Sequence, residues 1–254
     1  MPAPKALRRL TPDRVRQSPR LRAIALAAGL IPPRTMHSIA EAQTIARLAR
    51  GRRRVVELGV YEGSSAVVLC SVLGPGSELH LIDPFVDATG WALPPDARPV
   101  EGATRRAVAR AQRRGGPDGR GGPAVRWQIA RSQDTGRSWT GGETDLVFID
   151  GDHSPEGCRE DFEVWSPHLA ADGAIAFHDA REGRPGGRGS VGPTSVVDAL
   201  FRAGGELQEQ WRISEEVDSL VVVVRATPPE GLNPPRVAAT RPRCGTTARA
   251  APPR

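Results

Sequence analysis

Glu57-Leu58-Gly59-Val60-Tyr61-Glu62-Gly63-Ser64-Ser65 is the stretch on which the reading of this chain turns. Before it, Arg54 to Leu58 is an apolar run of buried-strand length, and after it Ser64 to Leu73 has helical spacing. A strand that runs through glycines into a helix can bind a polar ligand at the joint. Gly59 lets the chain turn tightly, Gly63 allows close approach where the helix begins, and the first helical N–H groups face polar ligand atoms. The same joint can also be purely structural. It is not the dinucleotide fingerprint G-x-G-x-x-G, because Tyr61 stands where the middle glycine would meet a pyrophosphate. An NAD-dependent oxidoreductase on a Rossmann fold is therefore the second choice. Glu57, at the strand end, can accept hydrogen bonds from a ligand amine.

Working outward, Ser38 and Glu41 form a capping box, and Ile39, Ala42, Ile45, Ala46 and Leu48 give the helix it starts an apolar face that stops at Gly51. Downstream, strands are expected at Glu78–Ile82, Val125–Ala130, Asp145–Ile149 and Ala174–Phe177, with helices at Thr104–Arg114, Pro155–Leu169 and Val196–Phe201. Strands separated by helices imply parallel crossovers with both sheet faces covered. The end breaks that rhythm: Leu207–Ile213 and Ser219–Val224 are separated only by Ser214–Asp218, which predicts an antiparallel hairpin. Residues 1–35 read as a loosely held arm, 36–225 as one domain and 226–254 as a disordered tail of Pro, Arg, Thr and Ala.

Composition narrows the function. The formal net charge is +6, yet Lys5 is the only lysine and the arginines are scattered through loops and the tail. A nucleic-acid methyltransferase or binding domain rests on charge alone, and nucleic acid is not the expected partner. Base-modifying enzymes carry N-P-P or D-P-P followed by an aromatic residue after strand four, where this chain has Phe148-Ile149-Asp150-Gly151-Asp152-His153; Asn233-Pro234-Pro235 lies in the tail and is followed by Arg236. Three widely spaced cysteines make no disulfide framework and fit a reducing cytoplasm. Ala23 to Leu30 is too short for a membrane span, so no membrane partner is expected. Self-association is left open.

Asp83 closes strand two on the order of 20 residues beyond the glycine turn, where an acid reaches ribose hydroxyls, and it could equally cap its own loop. Asp150 and His153 follow strand four and His178-Asp179 follows strand five, so two acids and two histidines should meet at one sheet edge. His153 and His178 are the candidate bases, with Asp150 beside them; His80 and His168 lack such company and read as structural. Trp91 and the Arg181–Pro193 loop, a candidate lid, could line an acceptor pocket.

The runs V-V-E-L-G-V-Y-E-G-S-S-A, L-I-D-P-F, F-I-D-G-D-H-S-P-E-G-C-R-E-D-F-E-V-W and G-A-I-A-F-H-D resemble the class I S-adenosylmethionine-dependent methyltransferases, over about Ser38 to Arg225. The closer resemblance is to small-molecule O-methyltransferases similar to catechol O-methyltransferases and to the sugar and macrolide methyltransferases of natural-product pathways. It implies an α/β, Rossmann-like, mostly parallel seven-stranded sheet with helices on both faces and a C-terminal antiparallel hairpin. It also implies S-adenosylmethionine as cofactor and a small-molecule hydroxyl acceptor. By position, Glu57, Gly59, Tyr61, Gly63 and Ser64 fall on the cofactor turn, Asp83 on the ribose acid, and Ser132 and Gln133 at the adenine end, although a Ser-Gln pair at a strand end is also a common loop cap. Metal-dependent members hold magnesium through an acid after strand four and an acidic pair after strand five. Asp150 and Asp179 match, and His178 stands where a second oxygen ligand is expected, so the expected cation is Mg2+ or Mn2+ on Asp150, His178 and Asp179.

Overall fold

A computed structural model describes residues 18–85 and 101–226; Trp91 and all but the first residue of the expected tail lie outside them. Strands β1 (Arg54–Leu58), β2 (Glu78–Ile82), β3 (Ala124–Gln128), β4 (Thr144–Ile149), β5 (Leu169–Phe177), β6 (Trp211–Val217) and β7 (Leu220–Arg225) form one sheet in the order β3-β2-β1-β4-β5-β7-β6. The first five are parallel, and β7 runs antiparallel to β5 and β6. This is the fold class the sequence implied.

The helices are α1 (Pro19–Ala28), α2 (Ile39–Ala49), α3 (Ser64–Val72), α4 (Glu101–Arg114), α5 (Ser132–Arg137), α6 (Pro155–Trp165) and α7 (Val191–Phe201). Strand residues alternate between faces, which gives two cores. Val55, Leu79, Leu81, Leu146 and Phe148 meet Ile45 of α2, Leu69 of α3 and Val108 of α4. Val56, Leu58, Val147, Ile149 and Phe177 meet Phe162 and Trp165 of α6 and Val197 and Phe201 of α7. With apolar side chains leaving water on both sides, each worth roughly 1.5–3 kcal/mol, the sheet can exist only as a middle layer.

Four readings shift. Within the arm, Pro19–Ala28 is helical because Ser18 caps it and Leu26 packs on Ala103 and Ala107 of α4. The expected helix Pro155–Leu169 ends at Trp165, and after a 3-10 turn Leu169 already belongs to β5. β6 lies further on than Leu207–Ile213 and includes Ser214, Glu215 and Glu216, read as a turn; it is an edge strand whose outward positions take charge without cost. Val217 pairs with Leu220, so the hairpin turn is Asp218-Ser219, with Asp218 left-handed. No helix among the described residues is long and apolar enough to cross a membrane.

Candidate active site

Register brings the strand ends level. Leu58 pairs with Ile82 and Ile149, and Ile149 with Phe177, so the turn after Leu58, Asp83, Asp150 and His178 all emerge at one edge. Gly59 sits where two of these exits touch. It has φ +84°, and a Cβ there would lie 2.1 Å from the Asp150 carbonyl oxygen, so the close approach that requires glycine is to the chain's own β4 exit. Gly63, also left-handed, starts α3 with no side-chain cap, which leaves first-turn N–H groups for a ligand. Glu57 is fully buried. One of its oxygens accepts from Ser65 Oγ, and Oε2 has no partner. Burial raises the Glu57 pKa well above the usual range, Ser65 opposing and the charges of Asp150 and Asp83 adding to the rise. A buried acceptor without a donor beside an uncapped helix start fits a ligand carrying both ammonium and carboxylate.

Asp83 is occupied by the protein. Its Oδ2 accepts from the N–H of Val60 at 2.7 Å and of Tyr61 at 2.9 Å, and Oδ1 from Phe85 N–H at 2.6 Å. It caps its own loop and the glycine turn at once, so the capping alternative holds in this geometry, and Oδ1 retains acceptor capacity for a ribose hydroxyl. Ser132 and Gln133 start α5 and face α6: Ser132 Oγ donates to Asp161 Oδ1 at 2.5 Å, and Gln133 Nε2 to the Gly157 carbonyl at 3.4 Å. Asp161 was missed in the sequence. It is buried, with Oδ2 unpartnered, and burial pushes its carboxyl up to about 7 against the Ser132 hydrogen bond.

At the β4 and β5 exits, His153 Nε2 lies 3.2 Å from Asp179 Oδ2 and 3.7 Å from Asp150 Oδ1. One ligand atom from each of Asp150, His153 and Asp179 lies within 4.8 Å of the others. His178 is 2% exposed and faces inward; its Nδ1 is 2.9 Å from Asp150 Oδ1 and its Nε2 3.6 Å from Glu41 Oε2. Burial opposes charge on this ring, but Asp150, by charge and hydrogen bond, with Glu41 and Asp179 behind it, pushes its pKa up to about 11. Glu41 is the capping-box residue of α2. It also accepts from Ser219 N–H and Oγ, and these bonds with those from His178 and Ser38 outweigh burial and hold its pKa at about 2. For His153, burial likewise opposes charge, yet the Asp179 hydrogen bond and the two aspartates raise its pKa.

Residues 56–180 match the family model of a methyltransferase domain. The chain is an S-adenosylmethionine-dependent methyltransferase of class I. Among solved structures it is similar to the O-methyltransferase NovP, at 15% identity and a TM-score of 0.58 over 76% of this chain and 82% of that one. It is similar also to cofactor-bound Rv0187 from MTB, at 19% and 0.56 over 82% and 89%. A third is CalS11, a TDP-rhamnose 3'-O-methyltransferase of calicheamicin biosynthesis, at 15% and 0.51 over 73% and 77%. At these identities the likeness concerns the fold. No curated protein matches the chain.

The methyltransferase thus gathers Glu57, Gly59, Tyr61, Gly63, Ser64 and Asp83 around one turn and Asp150, His153 and Asp179 around another. His178, expected among the metal ligands, also faces both aspartates, with Nδ1 2.9 Å from Asp150 Oδ1 and 3.5 Å from Asp179 Oδ2, while its Nε2 turns inward to Glu41. His153, expected as a base, stands with Asp150 and Asp179 in the group that could hold an ion. His80 and His168 remain outside, held by Gln128 and by the Gly136 carbonyl. The expected lid folds back near its base, where Ala180 bridges Gly189 and Ser190 N–H donates to the Asp179 carbonyl.

Proposed function

We propose that this methyltransferase acts on a hydroxyl oxygen of a small molecule, with Asp150, His153 and Asp179 handling the hydroxyl proton. The observation that carries the reading is the convergence of those three side chains beside the cofactor turn. NovP and CalS11, the latter acting on a nucleotide sugar, support an oxygen acceptor of that size. S-adenosylmethionine supplies an activated methyl group, and the chain's share is to align the acceptor with it and to accept the proton.

Two carboxylates and one imidazole, 3.2 and 3.7 Å from oxygen to nitrogen, fit the contact distances around one divalent cation, whose ligand bonds are about 2.0–2.2 Å. We therefore assign Asp150, His153 and Asp179 as its ligands. The cation would lower the pKa of the acceptor hydroxyl. The imidazole nitrogen favours Mn2+ over Mg2+. A second reading has His153 as general base, favoured by its 3.2 Å contact with Asp179, which would orient the ring. In that case the rate climbs over a pH range shifted upward from that of an ordinary imidazole, because the raised pKa keeps His153 protonated at lower pH. The deciding measurement is transfer of labelled methyl to sugar nucleotides, phenols and hydroxylated macrolides after exhaustive chelation, with Mg2+ and Mn2+ added back. Full activity without a cation removes the metal assignment, and an active His153→Ala enzyme removes that residue from both readings.

A further inference from the structure

The cofactor turn is gripped from outside the sheet at two successive residues. Arg22 of α1 donates from Nε to Glu62 Oε1 at 2.6 Å and from Nη2 to Oε2 at 2.5 Å, a bidentate fork. The backbone N–H of Arg34 donates to Glu62 Oε2 at 2.7 Å, and Arg34 Nη1 to the Tyr61 hydroxyl at 3.0 Å. Glu62 is only 4% exposed, and these hydrogen bonds to its carboxylate come from residues 22 and 34. A carboxylate so far from water is held in place only while paired, so Glu62 and the segment that pairs it should order together.

Tyr61 sharpens the point. Its φ of +53° is left-handed, a conformation a bulky residue keeps only when its surroundings over-determine it. Three elements do so here: Asp83 accepts from its N–H, Thr104 Oγ1 donates to its carbonyl at 3.0 Å, and Arg34 holds its hydroxyl. The N-terminal segment is in turn fixed to the body. Leu26 packs on Ala103 and Ala107, and Arg110 donates to the Leu26 and Ala27 carbonyls at the C-terminus of α1.

We propose that Arg22 and Arg34 are positioning residues of the cofactor site, which act through Glu62 and Tyr61 to hold the turn between β1 and α3 in its binding shape. Cofactor affinity therefore depends on residues 18–37, which precede the first strand and belong to neither core. The proposal rests on the methyltransferase assignment and deepens it. A strut that serves the fold alone would cost stability and leave affinity untouched.

The test is calorimetry of the full chain with S-adenosylhomocysteine, paired with melting curves. Arg22→Gln, Arg34→Gln and Glu62→Gln should each weaken binding by about tenfold, a typical coupling between contacting groups. Arg22→Lys should fall between wild type and Arg22→Gln, since it keeps the charge and loses the fork. The Arg22→Gln/Glu62→Gln double variant should be no worse than the weaker single, because one interaction is lost only once. Thr144→Ala removes a hydrogen bond to the His168 carbonyl at the opposite edge of the sheet; it should lower the melting temperature without altering affinity. Should Glu62→Gln fail to fold, the two arginine variants carry the test alone. Arginine variants that melt earlier and bind as tightly as wild type would overturn the proposal. A wild-type chain that ignores S-adenosylhomocysteine would bring down the cofactor assignment, and the proposal with it.

Discussion

Asp83 and Glu62, in the cofactor turn, and Asp150 and Asp179, at the neighbouring strand ends, are the same kind of side chain at the same edge of one sheet. Their partners differ. Asp83 is taken by three backbone N–H groups, and Glu62 by a guanidinium and a backbone N–H, none of which gives up its proton near neutral pH. Asp150 and Asp179 meet imidazole rings, which can. One region uses carboxylates to hold a shape and the other to hold protons, and the identity of the donor, not the acid, separates them.

The sharpest break is Asp150→Asn. Methyl transfer should fall on the order of 10²–10⁴-fold while S-adenosylhomocysteine still binds, because proton handling is lost and the turn is not. Comparable losses in both measurements would show that the two regions are not separable. Gly59→Ala tests the place where they touch. With φ at +84° and Cβ 2.1 Å from the Asp150 carbonyl, we expect roughly 3 kcal/mol off the unfolding free energy by denaturant titration, and an undiminished value would mean that the turn can yield. Asp83→Ala should cost the cofactor roughly 1.5–3 kcal/mol by calorimetry, since loosening both loops also removes the ribose acceptor. The smallest effect is a pH dependence confined to the proton-holding region. The pKa of His178 is higher in the folded chain, so its contribution to stability is fully present below about 6.5 and declines as pH rises towards 11. Glu41 has the opposite sign, contributing above about 4.5 and failing as pH falls towards 2. Melting temperature followed from pH 3 to 10 should therefore sag at both ends, and His178→Gln should reduce the alkaline sag and also soften the acid one, because the ring is one of the hydrogen-bond partners that hold the Glu41 pKa low.

Much of this was legible because it is local. Apolar runs of strand length, the Ser38–Glu41 capping box and the Gly59–Gly63 turn each declare themselves within a few residues, and alternation of strands and helices implies the sheet. What escaped depends on contacts across the chain. Glu41 was visible as a capping residue, but nothing near it announces His178, 137 positions away. Arg22 and Arg34 were two among many arginines in a segment read as loose, and only the folded chain brings them to Glu62. That the His178 ring turns inward to Glu41 while His153 groups with Asp150 and Asp179 has the same origin, since sequence order does not reveal which ring faces inward. β6 was misplaced because edge strands carry charge on their open face, and charge reads as loop.

A helix end is ordinarily where fraying begins, at little cost to the remainder of a protein. The first turn of α2 cannot behave that way, because its Glu41 also neutralises a charged ring at the bottom of the site. Opening that turn would leave His178 buried and charged with one acid fewer, so the penalty for a local fluctuation includes an electrostatic part that grows as the ring takes up its proton. Amide exchange at Ser38 and Ser219, both of which donate to Glu41, should then be slow beyond what their place in a cap and a hairpin turn suggests. The slowing should fade in alkali, making the backbone of a peripheral helix a reporter of the protonation state of His178.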